Sequence, residues 1–336
     1  MKLTLIIPGL NWLDAHDGSE VSKGLALPAL SQMLGRGSLQ SQPLSASQLL
    51  QQVFALPALA LAADLAAASG LDTAGRHWLL ADPVNLRVDR DRALLGDVGI
   101  MNLSQQEADA LVSSLNQLFA EDGFVFHAPA PQRWFLSLPA ASGAEFSVLP
   151  DVIGNDINHH LPRGSQGMLW SRYLNELQML LYTHPVNDAR EARGEVPVNS
   201  VWLWGEQTDG SLRPTLQHDQ LLAADPLWQH LAAAAGKPAE LAPYAFSGLD
   251  ARGDVLLQLD TVEAAAQFRD AWGWREGLQQ LERDWFAPLL AALQQRQVQQ
   301  LTIRCHGDAG FTLNLRPGDL WRFWKRPRQL AALYPQ

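Results

Sequence analysis

One cysteine, Cys305, stands in the whole chain, so no intrachain disulfide can form and nothing in the sequence asks for an oxidising compartment. Long apolar runs are missing too. The most apolar stretch, Val53 to Ala68, is broken by Pro57 and Asp64 and falls short of a membrane span. Met1 to Gly9 has neither an h-region nor a small-residue cleavage site, and reads as a first buried strand rather than a leader. Basic residues are few: 25 Lys and Arg against 35 Asp and Glu leave a net charge of −10, which speaks against a general nucleic-acid binder. Metal-type histidine spacing is also absent. His159 and His160 are adjacent, no His-x-x-x-His occurs, and no histidine follows His306. A cytoplasmic protein with a small-molecule or protein partner is expected, with no nucleic-acid and no membrane partner.

What is present is globular. With 47% apolar and 18% charged residues in 336, the chain can bury a large core as one large α/β domain or two ordinary ones. Leu3 to Ile7 is a strand ended by Pro8-Gly9. Pro28 to Arg36 reads as a short helix started by proline. Ser104 and Glu107 form a capping box at the start of a helix reaching about Ala120. Gly167 to Thr183 carries Leu169, Tyr173, Leu174, Leu177, Leu180 and Leu181 on one helical face. His184-Pro185-Val186-Asn187 closes that helix, since the residue before a proline is pushed out of the α region. A polar turn with Arg190, Arg193 and Gly194 follows. Then Val198 to Gly205 is a strand apolar on both faces, which belongs in the middle of a covered sheet. Asp254 to Asp260 and Leu301 to Cys305 are further strands, and Gln267 to Leu293 a long helix. The chain closes on Trp321-Arg322-Phe323-Trp324-Lys325-Arg326, a composition that suits an interface hot spot or a helix with its tryptophans on the core.

The block from His184 to Glu206, with its HPVN, Arg, Gly and P-x-N leading into an apolar strand ending in Trp-Gly, resembles the archaeal-type, cofactor-independent phosphoglycerate mutases of the alkaline phosphatase superfamily. The order of elements before it is similar to theirs as well. The resemblance implies a three-layer α/β/α fold with a largely parallel central sheet and an inserted smaller α+β cap. Residues 1–70 and 185–336 would form the core, and 71–184 the cap.

The same resemblance assigns roles. Ser47, at the head of a helix after Ser45-Ala46, takes the nucleophile's place; Ser45 or Ser47 as a plain helix cap is the alternative. Asp82 falls at a substrate-facing strand edge, where it or Asn85 could equally hold an Asp-Pro turn around Pro83. Arg133 fits the arginine of a His-Arg pair that meets the substrate phosphate, with Gln132 in the histidine's place. Arg190 and Asn199 join it as substrate-binding candidates, and Pro150 to Pro162 is similar to a loop that lies over substrate.

The metal set departs from the family. Pro8 stands where a ligating Asp is expected, unless Asn11, Asp14 or Asp17 replaces it. His306-Gly307-Asp308 stands where Thr-x-Asp-His is expected. Asp260 and Asp308 are the metal candidates left, too few for the two-ion clamp of phosphoryl transfer. The expected function is therefore a degenerate, bacterial, mutase-like pseudoenzyme acting as a binding or regulatory protein, similar to the Rpf-type regulators of pathogenicity factors. A phosphorylated small molecule and a protein held through Trp321, Arg322, Trp324 and Arg326 are its expected partners, with no cofactor. The alternative is an active phosphomutase or phosphatase with a rewired Mn or Zn site drawing on Asp82, Asp151, Asp156, His159 and His160.

Overall fold

The structure, a computed structural model, describes residues 1–13, 15–89, 92–96, 101–208, 210, 212–250 and 252–334. The expected role of Asp14 lies outside them. The strands are β1 (Lys2–Ile6), β2 (Ser38–Ser41), β3 (His77–Asp89), β4 (Arg92–Gly96), β5 (Val125–Ala130), β6 (Arg133–Leu138), β7 (Ser200–Gln207), β8 (Gln220–Leu222), β9 (Asp254–Gln258), β10 (Gln300–Cys305) and β11 (Phe311–Leu315). The helices are α1 (Ala15–Val21), α2 (Pro28–Arg36), α3 (Ala46–Phe54), α4 (Ala62–Ala68), α5 (Gln105–Leu118), α6 (Gly167–Tyr182), α7 (Pro185–Ala192), α8 (Pro226–Ala234), α9 (Glu263–Gln267), α10 (Ala271–Leu281) and α11 (Ala287–Gln294). The chain divides into two compact units, residues 1–57 with 213–336 and residues 58–212.

The first unit is built on a six-stranded sheet in the order β2-β11-β10-β1-β9-β8. Strands β8, β9, β1 and β10 run parallel, and β11 and β2 add antiparallel at one edge. The largely parallel α/β sheet expected from the sequence is therefore present. Burial explains it. Leu3 and Leu5 point to one core with Val255, Leu257, Leu301 and Ile303, while Ile6, Leu221 and Leu256 on the alternate positions are buried too. Parallel strands need cover on both faces, and these have it. The helical stretch after Gln267 resolves into α10 and α11 joined by a π turn over Glu282–Phe286. From that turn Glu282 accepts hydrogen bonds from the Ala29 (2.6 Å) and Leu30 (3.2 Å) amides, capping α2, whose first residue is Pro28.

The second unit is an antiparallel sheet, β4-β3-β6-β5 with β7 on β3, packed on α5 and α6. Three expectations are corrected here. First, the apolar strand entering Trp204 is β7, and it pairs antiparallel with β3 in this unit rather than lying in the parallel sheet with residues 213–336. Burial on both faces says that a strand is covered, not which sheet covers it. Secondly, HPVN does not lead into a turn. His184 is the N-cap of α7, its Nδ1 accepting from the Val186 amide at 3.2 Å, and Pro185 opens the helix, where its missing N–H costs nothing. Thirdly, Asp82-Pro83 is not a turn. β3 runs straight through it. β6 pairs β3 up to Leu80 and β4 from Asn85 onward, so Pro83 falls in the gap between them, where a strand tolerates proline. Among the described residues no helix is long and apolar enough to cross a membrane.

Candidate functional site

In an open parallel sheet the crevice beyond the carboxyl ends of the strands is where ligands bind. In the first unit β1, β9 and β10 all end on the same edge and lead into Pro8-Gly9, Leu259-Asp260 and His306-Gly307-Asp308. The turn after β1 depends on glycine. Gly9 has φ +72°, and a Cβ there would sit 2.8 Å from the Val262 carbonyl and 2.9 Å from Glu263 Cα. The resulting cleft, small at about 40 Å³, is lined by Asn11, Glu263, His306 and Asp308 among others. Asn11 is 5% exposed, donates its amide to the Ala309 carbonyl, and leaves Oδ1 without a hydrogen-bond partner among the described residues.

The head of α3 is tied to the same edge. Gly307 N–H donates to the Leu44 carbonyl at 2.7 Å, and Gln42 N–H to the Gly310 carbonyl at 2.8 Å. Ser45 is the α3 cap: it accepts from the Gln48 amide at 3.2 Å while Gln48 reaches back to the Ser45 amide at 3.0 Å. Ser47, the expected nucleophile, is buried in the first turn with its Oγ 2.9 Å from the Ser45 Oγ. The sequence thus brings Ser47 and Asp308 to one edge, while Asp260 is exposed just beyond β9.

Arg304, on β10 two residues before His306, is the functional candidate that motif reading passed over. It is half-buried, burial pulls its guanidinium below the usual range, and it has no carboxylate partner among the described residues. Its contact is with the side-chain oxygen of Gln52, which lines an open polar cleft of about 330 Å³ along α3 with Gln42, Gln48 and Gln51. The signal for it was a charged residue inside a strand whose neighbours Ile303 and Cys305 are buried; burial of Arg without an acid is costly unless an anion is supplied. Cys305 itself is an inert core thiol, its pKa pushed up to about 12 by burial.

The other candidates lie in the second unit and fall into separate groups. Asp82, nearly fully buried, accepts from Arg133 Nη1 at 2.9 Å and from Trp204 Nε1 at 2.8 Å; the Arg133 side chain is 28% exposed. Asn199 clamps the β3 backbone: its Oδ1 accepts from the Leu86 amide at 2.7 Å and its amide donates to the Leu86 carbonyl at 2.9 Å. Arg190 has no exposed surface. Its guanidinium meets Glu107 at 2.9 Å, the Val196 carbonyl at 2.9 Å and the Met101 carbonyl. Burial raises the Glu107 carboxyl, but hydrogen bonds from Ser104, the charge of Arg190 and a hydrogen bond from Arg193 outweigh it and bring the pKa to about 2. Arg190 and Asn199 therefore brace the fold, and the expected convergence of Arg133, Arg190 and Asn199 on one pocket is not what the structure builds. In the loop expected over substrate, Asp156 caps a short 3₁₀ turn through the Asn158 amide at 3.1 Å, and His159 is exposed.

No protein-family model matches the chain. Its curated relatives are 2,3-bisphosphoglycerate-independent phosphoglycerate mutases. It is 29% identical over 133 residues to that of Methanosarcina mazei, covering 38% of this chain and 34% of the relative. To that of Methanosarcina barkeri it is 28% identical over 141 residues, 40% of this chain and 35% of the relative. To the probable mutase of Geobacter sulfurreducens it is 30% identical over 124 residues, 36% and 31%. The matched stretch thus spans about a third of each relative's length. Among solved structures, a cofactor-independent phosphoglycerate mutase from Thermoplasma acidophilum superposes with a TM-score of 0.47 at 16% identity, covering 99% of this chain and 95% of that one. A Pyrococcus horikoshii protein gives 0.48 at 14% identity, covering 99% and 91%.

These relatives correct one expectation. The 2,3-bisphosphoglycerate-independent mutases are metal-dependent, so likeness suggests a divalent metal for this chain, against the expectation of no cofactor. Among the described residues no three His, Cys, Asp or Glu side chains come together to hold an ion. Pro8 offers no ligand atom, Asp260 is exposed to solvent, and Cys305 is a buried thiol. Among the described residues, the side chains at this edge thus form no ready-made two-ion cluster.

Proposed function

We propose that this chain is a phosphoglycerate-mutase-like binding protein with a regulatory role, which takes a phosphorylated small molecule at the carboxyl edge of its parallel sheet and has lost two-metal phosphoryl transfer. The observation that carries this is a half-buried Arg304 with no carboxylate partner among the described residues, beside a cleft whose Glu263, His306 and Asp308 form no three-ligand cluster among them. Phosphoryl transfer by two ions needs ligands on both, whereas binding an anion needs only fixed positive charge and donors. Arg304 supplies the charge, and the Gln42, Gln48 and Gln52 amides along α3 the donors. The likeness to Rpf-type regulators belongs to this reading, and so does a role for the exposed edge of Arg133 toward the same class of ligand.

Calorimetric titration with 3-phosphoglycerate and with inorganic phosphate tests it. Wild type is expected to bind, and Arg304→Gln to bind at least tenfold more weakly, as loss of a charged hydrogen bond of roughly 1.5–3 kcal/mol implies. Absence of binding, or equal binding by the variant, contradicts it. The second reading, an active metal-dependent phosphomutase or phosphatase, is favoured by the names of the relatives and by the four donor residues of the cleft.

A further inference from the structure

Residues 321–328 carry three aromatic and four cationic side chains, and residues 321–336 include no acid at all, in a chain of net charge −10. The structure holds this stretch in an unusual way. Its ends are fastened to the first unit. Leu320 and Leu330 are buried in the core, the Arg328 amide donates to the Ser31 carbonyl at 2.9 Å, and the Leu320 carbonyl accepts from Arg36 at 2.8 Å. Gly35 lets the backbone lie directly on α2, since a Cβ there would collide with the Arg326 carbonyl. Its middle is bare. Trp321 is 73% exposed, Phe323 79% and Trp324 69%. Phe323 and Trp324 meet edge to face at 5.3 Å. The expected helix with its tryptophans on the core is therefore not what forms; the backbone is docked and the aromatics are turned out.

Of the four cations, Arg322 pairs with Asp319 at 2.9 Å. Lys325 and Arg326 have no carboxylate partner among the described residues. Three aromatic side chains of about 150–250 Å² each, exposed by some three quarters, offer roughly 400 Å² of apolar surface. That is about half of what one side of a standard protein interface buries. It is enough for an interfacial anchor, in which indole rings sit at headgroup level and neighbouring Lys and Arg meet lipid phosphates. The sequence alone leaves this stretch to a protein partner, but the way it is presented favours a lipid surface.

We propose that Trp321 to Arg326 is a peripheral docking loop for an anionic phospholipid bilayer, inserting its aromatics at the interface and leaving Lys325 and Arg326 on the phosphates. The loop is independent of the ligand reading above. The test is co-sedimentation of the full chain with vesicles of 30% phosphatidylglycerol in phosphatidylcholine, against phosphatidylcholine alone. Wild type should sediment with the anionic vesicles, and 0.5 M NaCl should release it. Lys325→Gln with Arg326→Gln should lower the affinity about thirtyfold, at about 1 kcal/mol per cation. Trp321→Ala with Trp324→Ala should abolish it, and because these side chains are exposed both double variants should keep the wild-type melting temperature. Failure of wild type to bind, equal binding to neutral vesicles, or wild-type binding by either variant overturns the proposal. In the first case an acidic protein surface becomes the occupant to seek.

Discussion

At the scale of single residues the chain separates braces from binders. Arg190 is the sharpest example: fully buried, and satisfied by Glu107 and two carbonyls. Removing one member of such a pair leaves the other uncompensated, so Arg190→Ala should lose about 3–5 kcal/mol in urea unfolding while leaving the phosphate affinity of the remaining folded protein unchanged. Glu107 makes the same point through pH. Its folded pKa of about 2 lies below its ordinary value of 4.5. The folded state thus binds its proton less readily than the unfolded state. The stabilisation is present in full above pH 4.5 and is lost as pH falls toward 2. The unfolding free-energy gap between wild type and Glu107→Gln should be constant from pH 5 to 7 and shrink steadily below 4.5. Motif reading took Arg190 for a binder and passed over Arg304. Arg190 lies in a polar helix and Arg304 near the end of a buried strand, and what separates them is whether, among the described residues, an acid is folded against them.

At the scale of elements, local signals were legible where the chemistry is local. The Ser104–Glu107 capping box and the Pro28 start form as read, and α6 buries Leu174, Leu177 and Leu181 of the expected face together with Trp170, which the pattern did not single out. The Ser45 cap also forms, and Ser45→Ala should cost about 1 kcal/mol by thermal or urea unfolding. What the sequence left open is decided by distant residues. The Asp82-Pro83 pair looks like a turn until β4 and β6 are seen to leave a gap for the proline, and HPVN marks both the end of α6 and the start of α7. Which sheet takes β7 rests on its pairing with β3, about 120 residues away, which no pattern within the strand encodes. The docked tail belongs to this scale too. Gly35→Ala would force a methyl into the Arg326 backbone, so it should destabilise the first unit by about 1–3 kcal/mol and displace the loop, raising protease cleavage between 321 and 328. Unchanged stability and cleavage would contradict that packing.

For the whole molecule, the largely parallel sheet was implied by the resemblance to the phosphoglycerate mutases, and the make-up of its carboxyl edge was legible only in part. Pro8 and the His306-Gly307-Asp308 order are visible in the sequence. That Glu263, His306 and Asp308 share a cleft without closing on an ion is visible only in three dimensions. With net charge −10 and a pI near 5.3, the chain should be least soluble close to pH 5.3 and regain solubility above it, as turbidity against pH would report. The central claim is a mutase-like fold that binds a phosphorylated anion without two-metal turnover. The most direct measurement is metal stoichiometry by elemental analysis after incubation with Mn²⁺ and Zn²⁺, with phosphoglycerate mutase and phosphatase turnover assayed on the same sample. Fewer than two tightly held ions per chain and no turnover above background are predicted; two ions per chain with turnover would contradict the claim and establish a rewired enzyme.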